Sequence, residues 1–589
     1  MKADLTRNSF NPLKHFSRVL MQQGRVQLDA DWNEQTGILL HLLRRLAADS
    51  LGSAYSPDKG FTPTPLPTAK AVADDFCIAG GSYYVDGILC ELESTPVAVL
   101  AFDGNNSKRL SIANWTVDGQ SFQTGQYLQI YDDSLNPVAG PIVSRIAAAD
   151  YTNLQLTFDD AVDALQQATN SRVRRLATYR SQPDLPQPPA LTSGTAYQLY
   201  LDVWERALTF VEDDSIREVA LNGPDTAARA RVVWQVKALP HQRNCLTQQQ
   251  LADQLQPPNR GLLRARVQQA AASSDPCTIS PDSQYRGVEN QLYRVEIHTG
   301  GNVSSNPPPS FKVSRENGAV VFPIVKLSAG GGTTTVILAN LGRDERFGLA
   351  EGDYVEVQDE SSVLNNAPGT LLQVQSIDRV NCGVTLSGNS TVGVGQDAGV
   401  NLLLRRWDHK AGDAAQGGLS LGKDGAALIP LDLTQPGAAG VWLDLEDGVQ
   451  VQFDMLMDQN FRSGDYWLIP ARVATGNVIW PQERVADPRG KTVSYPAAIP
   501  PNGITHHYAP LAIILPGSGA SPRFNYCGAN FNTVTAQDAP AQAVAANGAS
   551  AEAAKPAEVV ASTTVAKTAK TAAAKKAATV VKSDTTKPA

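Results

Sequence analysis

Two stretches of the chain, 227 residues apart, spell nearly the same β-module: Gly125-Gln126-Tyr127-Leu128-Gln129-Ile130-Tyr131-Asp132-Asp133-Ser134 and Gly352-Asp353-Tyr354-Val355-Glu356-Val357-Gln358-Asp359-Glu360-Ser361. The match runs on: Ile142, Val143 and Ile146, then Leu154 and Leu156, recur as Leu372, Val374 and Ile377, then Val384 and Leu386, with a few residues gained between. In both copies apolar and polar residues alternate at the period of a pleated strand. A duplicated unit of alternating strands builds a scaffold of small stacked barrels, whereas a single catalytic cleft has no need of it. The predicted fold is therefore mainly β and multidomain. It has an N-terminal arm and helix, several small β-barrels or sandwiches with an internal duplication, and a disordered C-terminal tail.

At 589 residues the chain exceeds what one core organises, and 46 Gly with 37 Pro point to many turns between short strands. The formal charge is −8. Seven lysines against four acids fall in 536–589, so the rest of the chain stands at −11, which argues against a nucleic-acid surface. Weak, salt-sensitive contact with nucleic acid is conceivable only for Lys567, Lys570, Lys575, Lys576 and Lys582 in that tail. Six scattered cysteines without a C-x-x-C signal neither a zinc site nor a disulfide framework, and reduced thiols are expected. Cys245 with Cys277 is the pair to test first. The polar opening Met1–Asn8 has no apolar run behind it, and the longest apolar runs are strand-sized. A cytoplasmic protein without a signal peptide or membrane contact is expected, with incorporation into a particle left open.

Six segments are distinguished. Residues 1–60 are an arm plus an amphipathic helix, with Asp31 and Glu34 as a cap and its reciprocal acceptor, Leu39, Leu42, Leu43 and Leu46 on one face, and Gly52 closing it. Residues 61–180 form a first β-region with an Asp86-Gly87 hairpin turn, barrel copy 1 at about 105–160, and a helix from Asp159 to Arg175 read from Val162, Leu165 and Ala168. A central β-domain (181–345) carries a short helix at Thr247–Gln256, barrel copy 2 occupies 346–406, and a C-terminal β-domain fills 407–535. From 536 the chain is mostly Ala, Thr, Val, Lys and Pro without an aromatic residue, a composition that buries too little apolar surface to order itself.

Candidate chemistry is thin. Asp29-Ala30-Asp31-Trp32-Asn33 opens like a calcium loop, but Glu34 and Leu40 stand where glycine and a bidentate carboxylate are needed. Trp407-Asp408-His409 and His506-His507-Tyr508 are the histidine clusters that could meet. A metal wants three such ligands, and successive side chains on a strand face apart, so hydrogen bonding of His507 within the fold is the plainer reading. The acid pairs Asp132/Asp133, Asp202/Glu205 and Glu446/Asp447 could serve a glycosidase, yet acids at hairpin turns are common for turn chemistry alone. No G-x-S-x-G occurs, and Gly332-Thr333-Thr334-Thr335 lacks a P-loop lysine. Neither catalytic residues nor a cofactor nor a metal is assigned.

Met21-Gln22-Gln23-Gly24-Arg25-Val26-Gln27-Leu28-Asp29-Ala30-Asp31-Trp32-Asn33-Glu34-Gln35 closely resembles the opening of a bacterial family, domain of unknown function 6519. The likeness continues through Tyr83–Gly87, Asp202–Arg206, Gly287–Glu296, Ser314–Gly318, Leu341–Phe347 and Gly464–Arg472, covering about 1–515. Val313 stands where relatives' F-K-W-S-R-E-N-G has tryptophan, and the tail reads as an addition. The family brings no catalytic residues. In style it resembles β-rich structural proteins of phage tails and contractile injection particles, by analogy of architecture. The function expected is a non-enzymatic structural or adaptor component of a larger bacterial assembly, with protein partners and self-association as its modes of contact. Its arm, with Phe10, Phe16, Leu20, Met21, Arg25 and Trp32, is the candidate partner-interaction segment. The competing expectation is a carbohydrate-binding or carbohydrate-active protein that stacks sugars on exposed Trp32, Trp115, Trp407 and Trp467 beside paired carboxylates.

Overall fold

Buried and outward side chains alternate along Arg109–Ile112, Leu262–Val267 and Thr333–Leu338, the period-two burial of a sheet with one packed face. The computed structural model describes residues 1–67, 74–221, 225–241, 244–257, 261–268, 284–302, 304–393, 401–430, 441–454, 460–486, 492–515 and 522–527. Both the expected disordered tail and Cys277 lie outside the described residues.

The duplication is a pair of six-stranded antiparallel barrels of one topology. The first closes through Val97–Phe102, Arg109–Ile112, Gln155–Phe158, Ile142–Asp150, Tyr127–Asp132 and Ser171–Thr178, which pairs back with Val97–Phe102. The second runs in the same order through Val321–Gly330, Thr333–Leu338, Gly383–Ser387, Thr370–Asp378, Tyr354–Gln358 and Leu403–Trp407. Local detail repeats as well. Each first strand carries a bulge (Val99/Ala101, Ile324/Lys326), and so does each fourth (Ile146/Ala148, Val374/Ser376). Bulges of this kind bend a strand where a barrel must turn. Gly125 and Gly352 share a left-handed φ of 93° and 92°, and their N–H groups donate to Ile146 O and Val374 O at 2.8 Å. Asp150 and Asp378 each accept from an asparagine three residues on, Asn153 and Asn381. Closure leaves neither barrel an open edge.

Two expectations are corrected here. Strand register equates Ile146 with Val374 and Leu156 with Val384, so the fourth strands match at one constant offset rather than as Ile142, Val143 and Ile146 against Leu372, Val374 and Ile377. The expected helix from Asp159 to Arg175 is a single 3-10 turn, Asp163–Leu165, followed by the barrel's closing strand Ser171–Thr178. Pairing with Tyr127–Asp132 and Val97–Phe102 claims that segment, although Val162 and Leu165 are buried at helix-like spacing.

Between and after the barrels the chain builds sheets from segments far apart in sequence. Tyr197–Leu208 pairs with Arg229–Pro240 on one side and His507–Leu515 on the other. Gln291–Thr299 sits between Ser310–Ser314 and Tyr466–Arg472. It shares a core with Leu262–Val267 and Val449–Asp454, where Tyr293, Phe311, Phe453 and Trp467 meet. Residues from 181–345 and 407–535 thus lie in common sheets. The Asp86-Gly87 and Asp447-Gly448 turns take positive φ at both positions, as a two-residue hairpin requires. The short helix expected at Thr247–Gln256 is α2 (Gln248–Leu255), capped by Thr247. Cys245 is bonded to Cys527, 282 residues away. This corrects the expectation of reduced thiols for these two, and it gives Cys245 a partner other than Cys277, the one to test first. Cys77 and Cys90 are free and buried, and burial pushes each thiol up to about 12.

A buried charge cluster joins the second barrel to the neighbouring sheet. Lys312, on Ser310–Ser314, lies 2.7 Å from Glu356 on the barrel strand Tyr354–Gln358 and 3.3 Å from Glu296. Arg294 and Lys2 also reach Glu296, at 2.6 and 2.9 Å. Glu356 accepts further bonds from the Trp407 indole and the Gly369 N–H, both at 2.8 Å, and Lys312 lies 4.4 Å from the Trp407 ring centroid. Burial pushes the Glu356 carboxyl up, but Lys312 and Lys2 outweigh it and hold it at about 2.

Candidate interaction surface

The helix α1 (Asp29–Leu51) follows a left-handed Gly24 and ends at Gly52, as expected. Its cap differs from the expectation: the helix starts at Asp29, and Asp31 sits at the third position, accepting from the Leu28 N–H at 3.4 Å. Asp29 accepts from the Thr6 N–H at 2.9 Å and from the Thr6 hydroxyl; these bonds outweigh burial and lower its pKa. The acids that open like a calcium loop are thus used at the helix start.

One side of α1 is pinned. Ala30 and Ile38 are buried, Phe10 packs over Gly37 and meets His41 with ring centroids 5.9 Å apart, and Arg44 forks onto Glu205 at 2.7 and 3.0 Å. The Asp86-Gly87 turn comes so close that a Cβ on Gly87 would lie 2.0 Å from the Arg44 carbonyl oxygen. Ser9 donates to Glu34, and the Val19 N–H donates to Gln35, so the arm is strapped along the same helix. Its beginning is anchored on the body. Asn317 donates to the Met1 and Ala3 carbonyls, and Arg472 donates to the Thr6 carbonyl.

The opposite side is apolar and bare. Leu28, Trp32, Leu39, Leu42, Leu43 and Leu46 fall on one stripe at 3.6 residues per turn, and all are exposed, Trp32 at 75% and Leu46 at 65%. Amphipathic spacing led to the expectation of a leucine face, and that face is turned outward. Among the candidate partner residues, Phe16, Leu20, Met21, Arg25 and Trp32 are exposed, whereas Phe10 is half-buried against α1. The structure adds Leu39, Leu43 and Leu46 to them. Their helical period was legible; that nothing among the described residues covers it was not.

The other candidates resolve into structural pairs. Trp407 and Trp467 are fully buried, which removes them as sugar platforms, and Trp115 packs edge-on against Phe122. Asp132 accepts turn N–H groups of Ser134 and Val138, while Asp133 pairs with Arg172. Asp202 and Glu205 go to different partners, His506 with Lys237 and Arg44 respectively; Glu446 pairs with Arg315. Burial pushes the Asp202 carboxyl up, but His506 and Lys237 outweigh it and its pKa falls. A cleft of about 520 Å³ beside α2 holds His506 and His507. Each imidazole Nδ1 is tied to a carboxylate, Asp202 at 2.6 Å and Asp86 at 2.7 Å. His409 lies elsewhere, stacked on Tyr354 with Nε2 3.0 Å from the Gly425 oxygen, away from the Asp202 and Asp86 partners of His506 and His507.

A model of the family of unknown function DUF6519 matches residues 1–150, 190–260 and 258–589. The chain belongs to DUF6519. The match extends through the tail, correcting the coverage to about 515 and the view of the tail as an addition. No curated protein and no solved structure matches the chain. In this DUF6519 chain several of the motifs that carry the resemblance meet at the arm. In the opening motif Asp29, Glu34 and Gln35 bind the arm while Val26, Leu28 and Trp32 face outward. Asn317 of Ser314–Gly318 and Arg472 at the end of Gly464–Arg472 hold residues 1–6. Val313, in the expected tryptophan position, is buried in the sandwich core.

Proposed function

We propose that this DUF6519 protein is a structural or adaptor component of a larger bacterial assembly, acting by docking rather than by catalysis, through the outward face of the arm and α1. One observation carries the reading: a continuous Leu/Trp stripe, fixed on its reverse side by the body, is left open along the helix. Apolar surface gains roughly 25 cal/mol per Å² on leaving water, and contiguous exposed patches of this kind mark interaction sites. The twin barrels supply a rigid support. Their closed edges resist unwanted strand pairing and leave the helix face as the adhesive surface. A phage-tail-like or contractile-injection-like particle is the class of assembly favoured, by analogy of architecture.

The test is size exclusion with light scattering on protein isolated from its native cells, comparing the natural chain with Leu39→Glu/Leu43→Glu. Complexes well above the 62.9 kDa chain that collapse in the variant, with its melting transition unchanged, bear the reading out. A chain that runs as a 62.9 kDa monomer in native extract, or complexes indifferent to both substitutions, overturns it.

A further inference from the structure

Resting on that docking reading, we infer that the occupant of the α1 face is the same face of a second copy of this chain, packed antiparallel about a twofold axis. Three features of α1 lead there. First, Trp32, Gln35, Leu39, Leu42 and Leu46 recur at intervals of three, four, three and four, the seam of a two-helix coiled coil, and Leu28 at the extended N-cap position continues the spacing by four. The seam is about 27 Å long at 1.5 Å per residue. The residues opposite it, Ala30, Gly37 and Arg44, are held by the body and arm, and Gln35 within the seam also accepts from the arm, from the Val19 N–H at 2.8 Å.

Second, charge is divided along the helix. Asp29, Asp31 and Glu34 occupy the first half, and Arg44 and Arg45, with the single acid Asp49, the second. A parallel pair would bring like ends together, whereas an antiparallel pair sets acidic halves against basic ones. Third, the register that places Leu28 opposite Leu46, Trp32 opposite Leu42 and Gln35 opposite Leu39 also brings Asp31 of one copy beside Arg45 of the other, twice by symmetry. Arg45 is 71% exposed and, among the described residues, bonded to Asp49 on its own helix, an i,i+4 pair easily exchanged for a contact between copies. Such a contact is isologous, so it closes at two copies.

The experiment uses the purified full chain in analytical ultracentrifugation, with Asp31→Arg, Arg45→Asp and the double swap. The expected result is a species of twice the 62.9 kDa chain mass, weakened roughly ten-fold or more in each single variant and restored by the double swap, which recreates both pairs with signs reversed. A monomeric natural chain, a trimer, or a dimer insensitive to all three variants overturns the antiparallel pairing. If the pure chain is monomeric while native complexes still depend on Leu39 and Leu43, this inference alone falls. If native complexes are also absent, the docking reading falls with it.

Discussion

Replacing Lys312 by methionine tests how the second barrel is held to the adjoining sheet. Lys312 and Glu356 are 2% and 0% exposed and lie 2.7 Å apart across that junction. A carboxyl held at about 2 instead of its ordinary 4.5 represents on the order of 3 kcal/mol of folding free energy at neutral pH. Because the folded pKa is depressed, this contribution is complete above about pH 4.5 and drains away as pH falls toward 2. Removing the lysine leaves Glu356 with Lys2 and the buried Arg405 as nearby cations and without its direct partner, and breaking one side of a buried pair costs about 3 to 5 kcal/mol. Urea unfolding followed by tryptophan fluorescence reads this directly, since Trp407 donates to Glu356. The midpoint gap between the natural chain and Lys312→Met should be large at pH 7 and narrow between pH 4.5 and 3, as the natural chain loses what the variant already lacks. Adding Glu356→Gln should recover part of the loss at pH 7. A gap under about 1 kcal/mol, or one unchanged down to pH 3, refutes the assignment of the cluster as the fastening of the barrel.

Three further outcomes are expected. Gly87→Ala should destabilise by about 1 to 3 kcal/mol in thermal melts, because it meets the Arg44 carbonyl and strains a φ of 77°; a neutral result would mean that the hairpin does not rest on α1. Cys527→Ser, or reductant on the natural chain, should cost about 2 to 4 kcal/mol, and a melting curve indifferent to reductant would deny the bond to Cys245. Phe158→Ala and Leu386→Ala, which hold equivalent places in the two barrels, should each cost about 2 to 5 kcal/mol in chemical denaturation; a silent result at either site would remove that side chain from its barrel core.

The duplicated strands were readable because a pleat has period two and a one-faced core demands alternation. Bulges were not, since an extra residue in the fourth strands breaks that period and invites the wrong equivalence. The missed closing strand had a signal: Val173-Arg174-Arg175-Leu176 and Leu404-Arg405-Arg406-Trp407 occupy matching register against Tyr127 and Tyr354. Helical spacing of Val162 and Leu165 outweighed it in the first copy. For α1, periodicity named the residues that share a face. It could not tell that Phe10, Ile38 and the Asp86-Gly87 turn would occupy the other side. The Cys245–Cys527 bond was equally invisible, because spacing carries no information about two cysteines brought together by strands that pair across some 300 residues.

That strand pairing has a consequence for how the protein is made. Tyr197–Leu208 acquires one of its two neighbours only when His507–Leu515 has emerged from the ribosome, and Gln291–Thr299 waits likewise for Tyr466–Arg472. The second barrel, closed entirely by residues 321–407, has all its strands long before then. Biosynthesis therefore delivers a finished barrel tethered to half-built sheets whose hydrogen-bonding edges stay open until late, and such contacts are slow to form. The interval before the last strand arrives is when this polypeptide most needs a chaperone.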